Sequence, residues 1–246
     1  MVQMKYFGDD RDYFKYDLIT FLMQTLPVEG YAFIPMLTEP RVSGEGNVLP
    51  GGRHWRSEAL HQYISSCETK SLRHWQDWLA QFTQSYSTID PVDTILFTHA
   101  TRERYWTTFS EQLGAEKSLV FFDPDTGLQA GRKTKILLKD QHKYVLDSDI
   151  AAIVDTFNDS SVWMFYQHLQ RNAHQRAQDI SRKSFTLIKK LKADISVYAE
   201  DDLAFIFVSR DLTAELRTLL ETYKAKGLPH NSKGLLHSYN HTQRMS

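Results

Sequence analysis

An apolar run that ends in two carboxylates occupies residues 118–128, where the sequence reads SLVFFDPDTGL. Its first six residues have the length and composition of a strand buried on both faces of a parallel sheet. Ligands of open α/β sheets bind in the crevice outside the carboxyl ends of the strands. Asp123 and Asp125 are therefore predicted to be catalytic residues at such a crevice. The alternative is that these carboxylates only shape the turn.

Strand and helix signals alternate on both sides of this run, as they do in α/β proteins. The pattern predicts helices over 10–26, 54–65, 70–86, 101–113, 149–157, 172–191 and 213–226, and strands over 31–37, 95–98, 118–123, 162–166, 195–199 and 203–209. Only three residues separate the last two strands, which favours an antiparallel hairpin. We expect one Rossmann-like domain, 1–246, with a mostly parallel sheet, a C-terminal antiparallel hairpin, a helical insert at about 54–90 and a flexible tail at about 230–246.

Composition excludes several classes of protein. The 246 residues are 41% hydrophobic and 24% charged, which is typical of a globular chain. The single cysteine, Cys67, excludes an intramolecular disulfide and a cysteine-built zinc site, and it fits a reducing compartment. No run approaches the roughly 20 apolar residues of a spanning helix, and the first residues lack a signal-peptide core. These features predict a cytoplasmic protein without a membrane partner.

The formal net charge of -1 conceals an uneven distribution. Residues 166–192 and 224–246 together carry a net charge of +10, so the rest of the chain carries -11. The first of these stretches is a predicted helix with basic residues on an otherwise weakly charged sequence, and such a helix can neutralise phosphates. A solvated helix face is the ordinary alternative. The nucleic-acid-binding residues predicted from this stretch are Arg171, Arg176, Arg182 and Lys183.

Two further motifs flank the predicted crevice. The segment 8–16, GDDRDYFKY, opens the first helix, and capping explains its acids but not Lys15, which lies one turn beyond Asp12. Lys15 is therefore a candidate catalytic residue. His168 follows the strand after Asp123 and is predicted to supply an acid/base group at the same crevice, although a lone histidine is often structural.

The segment 8–16 resembles the Gly-Asn-x-x-Asp-x-x-Lys-His signature of the bacterial large-subunit ribosomal RNA adenine-N6 methyltransferases. Asp123-Pro124-Asp125-Thr126 stands where that family has its Asp-Pro-Pro-Tyr motif, and residues 166–171 stand where it has Trp-Tyr-Pro and a following arginine. The sequence also resembles, more closely, an uncharacterised bacterial and phage family with Gly-Asp-x-x-Asp-x-x-Lys-Tyr, Asp-Pro-Asp-x-Gly-Leu and Tyr-x-His-x-x-Arg motifs. The first resemblance implies a methyltransferase-type fold and S-adenosylmethionine as cofactor, near Glu39, Gly44 and Gly46.

Three functions remain open. The first is an S-adenosylmethionine-dependent N-methyltransferase of DNA or RNA, in which Asp123 holds the target amine. The second follows from Asp125-Thr126, which replaces the stacking ring of the family motif by a charge: a metal-dependent nuclease or phosphodiesterase, phage-related or defensive, that binds a divalent cation such as Mg²⁺. Its predicted ligands are Asp9, Asp12, Asp123 and Asp125. The third is a non-catalytic module that binds nucleic acid or another partner.

Overall fold

The chain folds around a seven-stranded sheet covered by helices on both faces, as a computed structural model shows. The structure describes residues 8–38, 56–69, 71–88, 96–113, 117–129, 136–170, 172–226 and 234–241. Its helices are α1 (Asp10–Thr25), α2 (Glu58–Ser66), α3 (Leu72–Leu79), α4 (Arg102–Gln112), α5 (Asp147–Ile153), α6 (Ala173–Leu191) and α7 (Thr213–Ala225). Its strands are β1 (Gly30–Pro35), β2 (Ser85–Thr88), β3 (Ser118–Asp123), β4 (Gly127–Leu128), β5 (Tyr144–Val145), β6 (Val162–His168), β7 (Asp194–Glu200), β8 (Leu203–Ser209) and β9 (Leu235–Tyr239).

The strand order in the main sheet is β2-β1-β3-β6-β8-β7-β9. Strands β2, β1, β3 and β6 pair in parallel, whereas β8 is antiparallel to both β6 and β7, and β9 is antiparallel to β7. The predicted Rossmann-like α/β fold with a C-terminal antiparallel hairpin is thereby confirmed. Strands β4 and β5 form a separate parallel pair beside it.

The central strands alternate their side chains between two cores. Phe33 and Phe121 face the core formed with α1, α2, α3 and α7, whereas Ile34 and Phe122 face the core formed with α4, α5 and α6. By the same alternation, Asp123 lies on the α1 side of the sheet. The alternation of side chains along β3 therefore directs the Asp123 carboxylate toward α1, which supplies its partner Lys15.

Helix α1 begins at a capped turn and ends before a proline. The Asp9 side chain accepts hydrogen bonds from the backbone N–H groups of Arg11 and Asp12, both at 2.9 Å. At the other end Leu26 precedes Pro27, a residue that disfavours continuation of a helix through its neighbour. Tyr13, Phe14, Leu18 and Leu22 are buried against the sheet. The start of α1, and with it the 8–16 motif, therefore lies beside the carboxyl ends of the parallel strands.

Three predictions about secondary structure are wrong. The helix predicted over 70–86 ends at Leu79, and Ser85–Thr88 forms edge strand β2, whose polar, half-buried sequence lacks a strand's apolar signal. Residues 96–98 of the predicted strand 95–98 are irregular, with Phe97 N–H bound to the Leu37 carbonyl at 2.7 Å. Part of the predicted flexible tail, Leu235–Tyr239, is strand β9 paired with β7.

No helix in the described ranges combines the length and apolarity that crossing a membrane requires.

Candidate functional site

The chain reverses its direction of travel across the sheet between β1 and β3. From β1, the second strand of the sheet, it moves to the edge strand β2 and then returns to β3 on the other side of β1. Such a switch point opens a crevice outside the carboxyl ends of the two strands. Pro35 and Asp123 are paired at these ends, and the Met36 N–H donates to the Asp123 carbonyl at 3.2 Å. The Asp123 side chain therefore stands at the switch point.

A buried ion-pair cluster occupies this position. The Lys15 ammonium lies 2.9 Å from Asp123 Oδ2 and 2.6 Å from Asp12 Oδ1, and it also lies 4.9 Å from the ring centroid of Tyr166. The side chains of Lys15 and Asp123 are 7% and 2% exposed. Burial opposes the charge of Lys15, but Asp12 and Asp123 outweigh it and raise the pKa of Lys15 above its ordinary value. Lys15 is therefore a fixed cation between two carboxylates.

Asp123 has one oxygen held and one oxygen without a partner. Oδ2 accepts the Lys15 hydrogen bond, whereas Oδ1 is buried and has no hydrogen-bond partner among the described residues. Burial raises the pKa of Asp123, and Lys15 opposes that rise. The Thr38 hydroxyl, three residues beyond the end of β1, is also buried and has no hydrogen-bond partner within the described part of the chain. Asp123 Oδ1 lies at the switch point, and because nearly all buried polar atoms in proteins are hydrogen-bonded, a polar ligand bound there would satisfy it.

The 8–16 motif combines helix capping with this cluster. Asp9 caps α1, and Asp12 Oδ2 accepts a hydrogen bond from the Gly8 N–H at 3.3 Å. Burial and the neighbouring Asp12 raise the pKa of Asp9 to about 6. Gly8 has φ +78°, and a β-carbon there would lie 2.7 Å from Ile64 Cγ2, so glycine is required on both grounds. The motif therefore orients Asp12 and Lys15 and anchors the turn to α2.

These carboxylates do not fit a divalent cation. The Lys15 ammonium lies between Asp12 and Asp123, where it would repel a metal ion, and Asp9 accepts bonds from the helix backbone. Within the described residues, no group of three or more histidine, cysteine, aspartate or glutamate side chains is arranged to hold a metal. The predicted set Asp9, Asp12, Asp123 and Asp125 is therefore not supported as a metal site by its geometry.

Asp125 lies in a loop that is fixed on both sides. The Asp125 side chain is 5% exposed, and the next residue, Thr126, donates its N–H to the Lys143 carbonyl at 2.9 Å. Gly127 and Leu128 then pair with Tyr144 and Val145. The structure thus places Asp125 two residues beyond Asp123, in a rigid turn at the carboxyl end of β3.

His168 lies beside the cluster at the end of β6. Its Nε2 is 3.1 Å from the Tyr166 hydroxyl, and the Tyr166 ring faces Lys15. Burial, with a contribution from the nearby Arg11 charge, lowers the pKa of His168 to about 3. The imidazole is consequently neutral at physiological pH. Sequence reasoning identified His168 but missed Tyr166, which contacts both candidate residues; its position two residues earlier, on the same side of β6, was the available signal.

The four predicted nucleic-acid-binding residues have different environments. Arg171, like the predicted cofactor residues Glu39, Gly44 and Gly46, lies outside the described residues. Arg176 donates to the carbonyls of Gln170 and Asp201, at 3.1 and 2.8 Å. Arg182 is 42% exposed and pairs with Asp179. Arg176 is therefore half-buried and Arg182 exposed, whereas the fourth residue, Lys183, is buried.

Lys183 faces the protein interior and supports the Asp123 loop. It is 3% exposed, pairs with Asp179 at 2.8 Å and donates to Gln167 Oε1 at 2.6 Å. The same Gln167 oxygen accepts the Leu128 N–H at 3.0 Å. Lys183 therefore does not present its charge to a phosphate-bearing surface, and the expectation of nucleic-acid contact is corrected to a supporting contact beneath the loop.

Comparison with known proteins adds little. No family model matches the chain, and no curated protein matches it. Among solved structures, the chain is similar to protein LPL1258 from Legionella pneumophila str. Philadelphia 1, of family DUF519, at 12% identity and a TM-score of 0.45, over 94% of this chain and 97% of that chain. A likeness at this level carries no inference about chemistry. The fold and the site geometry define the class: a Rossmann-like α/β protein with a buried Lys-Asp cluster at its switch point.

Proposed function

We propose that the protein is a nucleic-acid-directed enzyme that uses S-adenosylmethionine to methylate an amine nitrogen of a base. The observation that carries this proposal is the divided environment of the Asp123 carboxylate. Its Oδ2 is held by Lys15, and its buried Oδ1, at the switch point, finds no hydrogen-bond partner in the described ranges. An amine N–H is a ligand that would satisfy this oxygen, and an incoming base would bring one.

The residues of the cluster have separate tasks in this proposal. Asp123 Oδ1 accepts a hydrogen bond from the amine and so orients the nitrogen lone pair. Lys15 fixes the other oxygen and keeps the carboxylate from rotating. Because burial raises the pKa of Asp123, the carboxylate is also a better acceptor for the proton that the amine loses on methylation. S-adenosylmethionine, when bound, supplies a methyl group carried on a positively charged sulfur.

The cofactor would be held at the ends of β1 and β2. Thr38 leads from β1 into the segment with Glu39, Gly44 and Gly46, the residues that the methyltransferase resemblance assigns to the cofactor. The resemblance also implies an acid after the second strand, where it would hold a ribose. With β2 now ending at Thr88, the next acid in the sequence is Asp90.

A methyl-transfer assay tests the proposal. The wild-type protein would be incubated with S-adenosylmethionine labelled on the methyl group, together with total RNA or genomic DNA from a bacterial host that lacks the gene. We expect label in one nucleic acid and a loss of roughly 10²-fold or more in Asp123→Asn, as is typical when a positioned acid/base group is removed. Asp140→Asn, a change at a surface carboxylate paired with Lys143, is the matched control and should keep full activity.

Three outcomes would count against the proposal. If calorimetry detects no heat with millimolar S-adenosylmethionine and no label is transferred, the cofactor assignment fails. If the cofactor binds but neither nucleic acid is labelled, the substrate class is wrong. If Mg²⁺ instead promotes cleavage of the nucleic acid and Asp123→Asn abolishes that cleavage, the phosphodiesterase hypothesis replaces this one.

A further inference from the structure

The turn between β7 and β8 is tied to arginines from two different helices. Arg11 of α1 pairs through Nη2 with Asp202 Oδ2 at 2.7 Å. Arg176 of α6 donates through Nη1 to the Asp201 carbonyl at 2.8 Å. The turn also accepts the Leu169 N–H at the Asp202 carbonyl, 2.7 Å away. One short turn therefore holds two guanidinium groups close to the segment that follows β6.

This arrangement stands at the mouth of the Asp123 site. Arg11 lies one helical turn before Lys15, and the two residues share a face of α1 because side chains four residues apart are neighbours on a helix. Leu169, which binds the turn, directly follows His168, the residue that contacts Tyr166 beside the Lys15 ammonium. Arg11 thus lies on the face of α1 that carries Lys15, and Arg176 is linked to Arg11 through the β7–β8 turn.

Both arginines form contacts that a phosphate group would replace. The Arg11–Asp202 pair is solvent-accessible, with both side chains 47% exposed, and such exposed pairs contribute little to stability. The described contacts of the Arg176 guanidinium are to carbonyl oxygens, and no carboxylate in the described ranges forms an ion pair with it. Arginine binds phosphate through two parallel N–H groups, so a phosphate is a stronger partner than either of these.

We propose that Arg11 and Arg176 form a phosphate-binding rim for the nucleic-acid strand whose base enters the Asp123 site, and that Asp202 is a built-in competitor that the phosphate displaces from Arg11. The choice of nucleic acid as the partner rests on the proposed function. The rim itself rests on the geometry of the β7–β8 turn. If the rim exists, removing the Arg11 charge weakens nucleic-acid binding and removing the Asp202 charge strengthens it. A purely structural ion pair would not produce these opposite effects on affinity.

Binding measurements without S-adenosylmethionine test the rim independently of methyl transfer. A fluorescein-labelled 20-nucleotide single-stranded RNA and the DNA of the same sequence would be titrated with protein, and anisotropy followed at several salt concentrations. We expect Arg11→Gln and Arg176→Gln each to weaken binding about 5- to 10-fold and to lower the slope of log K against log salt by about 1. Asp202→Asn should tighten binding about 2- to 5-fold, because Arg11 is released.

The exposed pair Arg210–Asp159 provides matched controls, since it lies beyond the opposite ends of β8 and β6. Arg210→Gln and Asp159→Asn should leave affinity and salt slope unchanged. The rim is disproved if the wild type binds neither oligonucleotide, if the Arg11 and Arg210 changes have equal effects, or if Asp202→Asn weakens binding as Arg11→Gln does. Should methyl transfer fail while these shifts occur, the rim stands and only the proposed reaction is lost.

Discussion

Single residues at the switch point carry charge in the protein interior. Lys15 pairs with both Asp12 and Asp123 where all three side chains are nearly buried, and removing Lys15 would leave two carboxylates without their counter-ion. The spacing of the 8–16 motif and the position of Asp123 after an apolar run were sufficient to predict that these residues matter. The unpartnered Oδ1 of Asp123 and the Tyr166 ring over Lys15 depend on packing between β3, β6 and α1, which no local pattern contains.

Gly127 constrains the loop that carries Asp125. Its φ of +129° disfavours any L side chain, and a β-carbon would lie 2.4 Å from Gln167 Oε1, the oxygen bound by Lys183 and Leu128. Gly127→Ala should lower the free energy of unfolding by roughly 2–4 kcal/mol, from backbone strain and displaced hydrogen bonds. Chemical denaturation measures this change.

A double-mutant cycle separates the two causes. In a Gln167→Ala background the clash is absent, and the cost of Gly127→Ala should fall to roughly the strain contribution of about 1–2 kcal/mol. An unchanged cost in that background would show that Gln167 does not constrain the loop.

Helices α1 and α7 are joined through a buried polar network at the end of β7. Tyr223 of α7 donates to Asp17 of α1 at 2.5 Å, and Arg56 contacts both Tyr223 and the β7 carboxylate Glu200. The strongest periodic elements, including α1, β3, α6 and the β7–β8 hairpin, were predictable from apolar spacing. Edge strands β2 and β9 were not, because their side chains are half-buried or exposed and their order depends on pairing with β1 and β7.

Ionisation of Asp17 should make the free energy of unfolding depend on pH. Burial raises its pKa from 3.8 to about 6, against the opposing effects of Tyr223 and Arg56. The folded state therefore binds an extra proton between these values, so this contribution to stability is present at low pH and is lost as pH rises through about 6. The wild type should gain about 1 kcal/mol relative to Asp17→Asn when the pH falls from 8 to 5.

The asparagine variant is neutral at every pH and keeps an oxygen that accepts the Tyr223 hydrogen bond, so other titrating groups cancel in the comparison. Denaturation curves of both proteins across this pH range provide the measurement. Parallel stability profiles would show that Asp17 is ionised in the folded state throughout.

In the whole molecule, the order of the strands brings distant sequence segments together at the carboxyl ends of the parallel strands. The pairing of β1 with β3 places Pro35 beside Asp123, α1 adds Lys15, and the turn between β7 and β8 adds the Asp202 partner of Arg11. The ion-paired carboxylates Asp12 and Asp123 therefore lie at the carboxyl ends of the parallel strands. The sequence predicted a basic segment over 166–192 and assigned Lys183 to nucleic-acid binding, whereas the structure places that residue beneath the Asp123 loop.

The proposed function requires that the β1–β3 crevice binds S-adenosylmethionine with its methyl group directed toward Asp123. A crystal structure of the protein with S-adenosylhomocysteine would show whether it does. We expect the adenosyl ligand at the carboxyl ends of β1 and β2, with its sulfur facing the Asp123 carboxylate across a space that fits an amine. A crevice without the ligand at millimolar concentration, or a ligand bound at another part of the molecule, would contradict it.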